Sequence, residues 1–131
     1  MSLLEAPPSL GSIRQGIADH IAQVWPAVFA YVPDDIAELP CVVVGPFSLA
    51  KSVTGWTATV PVLTLGRPIN TFDAQRELEE LMWSVVQQLE RVKAPAVPGL
   101  KPTTVSADTQ NVAGLDIPAY EITVTAEAVY C

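Results

Sequence analysis

The stretch from Gly55 to Val92 constrains the fold of this chain more than any other. It begins with an alternating pattern in which Trp56, Ala58, Val60 and Val62 are spaced two residues apart. Alternation with a period of two predicts a strand with one buried face over Gly55–Leu65. The turn sequence Gly66-Arg67-Pro68 follows, and the apolar spacing then changes to three and four residues, which is typical of a helix. A strand followed closely by a long helix indicates an α+β fold.

The long helix is predicted to begin at Asn70 or Thr71, since either side chain can cap it, and Asp73 in its first turn suits the helix dipole. Its apolar residues lie within about a third of the circumference at about 100° per residue. They are Ala74, Leu78, Leu81, Met82, Val85, Leu89 and Val92. We therefore expect a helix that is held by packing of this stripe against a core.

The remaining elements are predicted from shorter patterns. An amphipathic helix between Leu10 and Val24 has Ser9 or Ser12 as its cap and ends at Trp25-Pro26. Strands are expected at residues 28–32 and 41–45, and residues 47–54 begin a hairpin. Because proline cannot donate to a ladder, Pro61 marks an edge or a bulge in its strand.

The C-terminal part predicts a β-hairpin. A polar segment at residues 103–112 and an alternating segment at residues 117–130 are joined around residues 113–116. The fold class is therefore α+β: a mixed, mainly antiparallel sheet packed by two α-helices, with a C-terminal β-hairpin. All 131 residues are assigned to one domain.

Composition excludes several function classes. Hydrophobic residues make up 50% of the chain, which is enough for a core, and the formal charge is −7. Seven Lys and Arg against fourteen Asp and Glu do not form a surface that grips nucleic acid. No apolar run reaches the roughly 18 residues of a membrane span, and the start Met1 to Glu5 lacks a signal-peptide pattern. We expect a protein that is made in a cytosol and does not enter a membrane.

The residues do not predict an enzyme, a cofactor or a metal site. His20 is the only histidine, and it falls at the margin of the first helix's apolar stripe, where a structural role is expected. Glu77, Glu79 and Glu80 are interpreted as a solvated helix face rather than an acid/base pair. The glycine spacing fits no phosphate-binding loop. No catalytic, cofactor-binding or metal-ligating residue is therefore assigned.

Trp83 departs from the pattern of the second helix. It lies about 140° from the centre of the core stripe, with Val86 alongside and among Arg76, Gln87 and Glu90. Two interpretations are open: a loop of the same chain covers Trp83, or a partner protein does, since tryptophans are common anchors of interfaces.

The C-terminal hairpin offers a second candidate interface. The first strand of the hairpin, at residues 103–111, is too polar to bury a face in the core. We therefore expect the hairpin to protrude and to pair with a neighbouring subunit. The candidate residues are Thr103, Asp108, Gln110, Asn111, Glu121, Thr123, Thr125 and Glu127.

The order of elements resembles the tail terminator, or tail completion, proteins of long-tailed phages. The matching segments are the helix Ile13 to Val24 leading to Leu39-Pro40-Cys41-Val42-Val43-Val44, the strand Ala58-Thr59-Val60-Pro61-Val62-Leu63, and the helix from Asp73 to Leu89. The resemblance implies a subunit that forms a ring, typically a hexamer, at the head-proximal end of the tail tube. It also implies contacts with the major tail tube protein and a head-completion or neck protein, DNA that passes through without specific binding, and a place in the virion after assembly in the host cytoplasm.

Two other functions are kept open. A head-side neck or stopper protein would contact the portal assembly instead of tube subunits. A small α+β ligand-binding domain would be favoured by a deep apolar pocket with convergent polar groups.

Overall fold

The computed structural model describes residues 10–25, 27–29, 39–53, 55–69, 71–93, 97, 99–112 and 114–128. These residues form two helices and six strands. In chain order they are α1 (Leu10–Ile21), β1 (Val28–Phe29), β2 (Cys41–Val44), β3 (Ser48–Ser52), β4 (Gly55–Leu65), α2 (Phe72–Arg91), β5 (Lys101–Val112) and β6 (Leu115–Ala128). The predicted α+β fold class is confirmed.

The six strands form one mixed sheet in the order β1-β2-β4-β6-β5, and β3 pairs with the same edge of β4 as β2 does. Only β1 and β2 run parallel, and every other pair is antiparallel. β4 and β6 are the two central strands. Of the predicted strand at residues 28–32, the described part is Val28–Phe29, and the rest lies outside the described residues.

The prediction for Pro61 is confirmed as a bulge between two partner strands. Val44 pairs with Val62 and Ser48 pairs with Thr59, so three residues (45–47) stand opposite two (60 and 61). Gly45 N donates to Pro61 O at 2.7 Å, and a Cβ on Gly45 would lie 2.8 Å from the proline ring. Since the N–H and C=O of a strand residue point to the same side, the missing N–H of Pro61 faces this break, where no regular ladder bond is interrupted.

Helix α2 begins as its sequence predicts. Thr71 is the N-cap, and its hydroxyl accepts a hydrogen bond from Ala74 N at 3.1 Å; Asn70 lies outside the described residues. The buried side chains of the helix are Leu78, Leu81, Val85, Val86, Gln88 and Leu89. Val92, which the apolar stripe includes, is 44% exposed because it follows the last helical residue, Arg91, in an extended conformation.

Helix α1 is shorter than predicted. It begins by Leu10, which places Ser12 inside the helix rather than at its cap, while Ser9 lies outside the described residues. It ends at Ile21, and Val24 in the following turn is exposed. Its apolar face still enters the core, and the Arg14 guanidinium donates from Nη2 to Val44 O at 2.6 Å.

The core lies between the helices and one face of the sheet. Its centre joins α1, α2 and the even-numbered positions of β4 and β6: Ile17, Ile21, Val60, Val62, Leu81, Val85, Leu89, Ile122 and Val124. A smaller cluster of Cys41, Val43, Leu65, Ile117 and Ala119 lies on the opposite face. Both faces of the sheet are therefore buried near the end of β4.

The C-terminal hairpin is confirmed, but it does not stand away from its own subunit. β6 pairs with β4 from Trp56↔Ala128 to Leu65↔Ala119, so only residues 115–118 extend past β4. The expectation of a protruding hairpin is wrong for β6, because its alternating apolar residues make it a central strand. β5 is the outer strand, and no described strand pairs with its other edge.

Candidate assembly surfaces

The outward face of α2 presents Trp83. The side chain is 55% exposed, so the described residues leave about half of its surface open. Beside it, Arg76 Nε and Glu80 Oε1 form an ion pair at 3.3 Å, and Ser84 Oγ donates to Glu80 O at 2.9 Å. A large aromatic surface surrounded by charged side chains is typical of an interface residue.

Phe72 lies on the same side of α2 as Trp83, although the apolar stripe of the sequence does not include it. Eleven positions at about 100° each bring Phe72 to within about 20° of Trp83 around the helix axis, and roughly 16 Å from it along the axis. Phe72 is 75% exposed. Phe72 directly follows the Thr71 cap, and the first residue of a helix need not lie on its core stripe. This position is the feature of the sequence that could have indicated an exposed Phe72.

Val86 does not belong to this surface. It is only 7% exposed and belongs to the main core cluster, which also includes Val97 from the segment after α2. The buried arc of α2 runs over about 160° from Gln88 to Val86, wider than the predicted third of the circumference. Trp83 lies outside this arc, and Val86 lies at its margin.

Four of the candidate residues share the face of β6 that points away from the helices. They are Glu121, Thr123, Thr125 and Glu127, which alternate with the buried Ile122, Val124 and Ala126. Glu127 is exposed and the other three are half-buried between neighbouring strands. The Oγ1 atom of Thr125 is enclosed and has no hydrogen-bond partner among the described residues. These side chains form part of a polar sheet face, not a free strand edge.

The other candidates lie on β5, whose residues 103–109 are all exposed. Thr103 sits at a register shift and donates from Oγ1 to Thr123 O at 3.1 Å. Asp108 accepts from Gln110 Nε2 at 2.6 Å and from Thr109 N at 2.8 Å. Asn111 Nδ2 donates to Asp116 Oδ1 at 3.1 Å across the hairpin. These bonds order the far end of β5 without burying it.

An open groove of about 440 Å³ separates the start of α2 from the end of the β5–β6 hairpin. Its lining is apolar and acidic: Pro68, Ile69, Gln75, Leu78, Glu79, Ala107, Asp108, Thr109, Asp116, Pro118, Ala119 and Tyr120. Asp108 and Asp116 already bond to neighbours on the hairpin rather than converging on one point in the groove. The groove therefore does not have the arrangement expected of a small-molecule site.

Among the described residues, no three His, Cys, Asp or Glu side chains are grouped so that they could hold a metal ion. His20 is buried, and its ring bonds to the backbone of α2. Among the helices of the described residues, none is long and apolar enough to cross a membrane.

Comparison with known proteins finds matches among solved structures. No family model and no curated protein matches the sequence. A solved chain from the virion of a native gene transfer agent particle has a similar fold, with a TM-score of 0.55 and 19% sequence identity. The match covers 88% of this chain and 93% of that chain. At this identity, the likeness is one of fold.

Proposed function

We propose that this chain is a structural protein of a tailed phage or phage-like virion. More specifically, it acts as a tail terminator: a ring that caps the head-proximal end of the tail tube, stops tube growth and joins tail to head. It works by shape and self-association, without a catalytic residue, a cofactor or a metal ion.

The observation that carries this proposal is the fold match to a chain of a gene transfer agent virion. The match covers 88% of this chain and 93% of that chain, so it extends well beyond one common motif. The order of elements that resembles tail terminator proteins is the order found in the structure.

The surface of the subunit suits assembly. Phe72 and Trp83 expose two aromatic rings on one face of α2, and the described strands leave one edge of β5 open. Exposed aromatics and open strand edges are stabilised when a neighbour covers them. The net charge of −7 also suits a ring through which DNA slides without specific binding.

The proposed partners follow from this role. They are further copies of the chain in a closed ring, a hexamer being the expected size, the major tail tube protein on one side, and a head-completion or neck protein on the other. The protein would then occupy the head–tail junction of the virion.

The test is deletion of the gene from the phage or prophage that encodes it, with tails measured by electron microscopy. A tail terminator predicts tails longer than normal that are not joined to heads, and supply of the intact gene in trans should restore normal length. Tails of normal length that fail to join heads would instead identify the alternative, a head-side neck or stopper protein. Normal joined particles would contradict both.

A further inference from the structure

We propose that the ring is built head to tail, with the turn between β3 and β4 of one copy seated in the groove between α2 and the β5–β6 hairpin of the next copy. This inference rests on the proposed self-assembly, but it specifies a contact that the ring could lack.

The side chains that line the groove determine what kind of surface can bind there. Ile69, Leu78 and Tyr120 give it an apolar floor, while Glu79, Asp108 and Asp116 supply carboxylates. No Lys or Arg is among the described residues that line it. Such a groove favours an apolar side chain next to a cation and disfavours the acidic surface that most of this chain presents.

The β3–β4 turn has the complementary chemistry. Val53 is fully exposed, and no other large apolar side chain among the described residues is as exposed. Lys51 precedes it by two residues, at the end of β3, and is also exposed. Cations are scarce in this chain: of seven, Arg67 and Arg76 pair with glutamates, and Arg14 donates to Val44 O. Val92-Lys93 is also an exposed valine beside a lysine, but Val92 is 44% exposed whereas Val53 is fully exposed.

The two features lie at opposite ends of the sheet. The turn follows Ser52, which pairs with Gly55 at the start of β4, whereas the groove lies beside Ala119, which pairs with Leu65 at its end. The eleven residues of β4 separate these ends by roughly 33 Å at about 3.3 Å per residue. A copy cannot fill its own groove, but it can fill its neighbour's. Contacts between two different patches of this kind close into rings when the rotation between copies permits.

A disulfide between subunits tests the contact directly. The sequence has two cysteines, of which Cys41 is buried, and Cys131 is replaced by Ser. Val53→Cys and Ile69→Cys are then combined in one chain, and the protein is oxidised in the presence of tail tubes. Seating of the turn in the groove predicts a ladder of covalent oligomers that ends at the size of the ring. Val53→Cys combined with Val24→Cys, another exposed valine, is the matched control and should give no ladder.

Charge reversal provides an independent test. Lys51→Glu alone and Glu79→Lys alone should each lower the self-association constant by about tenfold or more, because each places like charges across the contact. The two changes combined in one chain should restore assembly. Lys93→Glu, which alters an exposed lysine at the end of α2, should leave it unchanged.

The outcomes separate this inference from the proposed function. Rings that form and cap tubes while Val53→Cys/Ile69→Cys gives no ladder would overturn the docking and leave the ring role standing. A disulfide to the tube protein in place of a second copy would do the same. A protein that stays monomeric with and without tubes would overturn both.

Discussion

His20 on α1 and Gln88 on α2 exchange hydrogen bonds and so join the two helices. His20 Nε2 lies 3.1 Å from Gln88 O, and Gln88 Nε2 lies 3.1 Å from His20 O. Because a carbonyl oxygen only accepts, the imidazole donates from Nε2. Gln88 Nε2 also lies 3.2 Å from Gln23 Oε1. The single histidine thus has a structural position between the helices.

We expect Gln88→Ala to lower the free energy of unfolding by about 1 to 3 kcal/mol, because it leaves the buried His20 carbonyl without a donor. Gln87→Ala, at the half-buried neighbouring position, should cost about 0.5 kcal/mol or less. Urea denaturation of both variants measures the difference. Equal stability of the two variants would show that the exchange between the helices contributes nothing.

Two tryptophans should respond in opposite ways to truncation. Trp83→Ala should change the free energy of unfolding by less than about 1 kcal/mol, but it should weaken assembly by about 2 kcal/mol if Trp83 is an interface anchor. Trp56→Ala should destabilise the monomer by about 2 kcal/mol or more, since Trp56 packs against the core cluster. Thermal unfolding and light scattering, run on both variants, separate the two effects. Full assembly of Trp83→Ala would remove Trp83 from the interface.

Val105 and Ile122 are directly paired residues on β5 and β6, yet they should differ in their contribution to stability. Ile122→Ala removes a fully buried side chain and should cost about 2 to 5 kcal/mol. Val105→Ala, on the exposed outer strand, should cost less than about 1 kcal/mol. Chemical denaturation gives both values, and a loss of several kcal/mol at Val105 would mean that β5 is covered.

Replacing residues 110–116 by a short Gly-rich turn should leave a folded monomer that no longer assembles. The deletion removes the end of the hairpin that extends past β4, including Asp116 of the groove, and it spares the buried Ile117. Circular dichroism should show retained secondary structure, while tail tubes should grow without a cap. Tails of normal length from a phage that carries this deletion would contradict the assembly role of the hairpin.

The sequence predicts the fold well where a repeating pattern is long. β4 follows an uninterrupted alternation, and α2 has a stripe of more than four turns with a capping residue, so the bounds of β4 and the Thr71 cap are correct. α1 is less accurate, since its apolar spacing continues to Val24 although the helix ends at Ile21. The apolar spacing alone does not show which turns of a helix are packed against the rest of the protein.

The candidate surfaces are less predictable, because exposure depends on what other segments cover. Val86 lies beside Trp83 on a helical wheel, but it is buried in the main core cluster, which residues from several other elements complete. Glu121 and Thr123 were expected near a free edge, whereas the pairing of β6 with β4 places them in the middle of the sheet. The groove joins α2 to a hairpin about thirty to forty residues later, and no local motif indicates that they meet.

The bulge opposite Pro61 changes which positions along the chain face the helices. Before it, the even-numbered Val42 and Val44 face the helices, and after it the odd-numbered Leu49 does so. Residues 45–47 therefore shift the helix-facing positions from even-numbered residues in β2 to odd-numbered residues in β3. Deleting one of the three would leave two residues opposite two, so β2 and β3 would share one register, with Leu49 still opposite Ala58. Pro61, which has no N–H, would then stand in a regular ladder and leave a carbonyl of the partner strand without its donor.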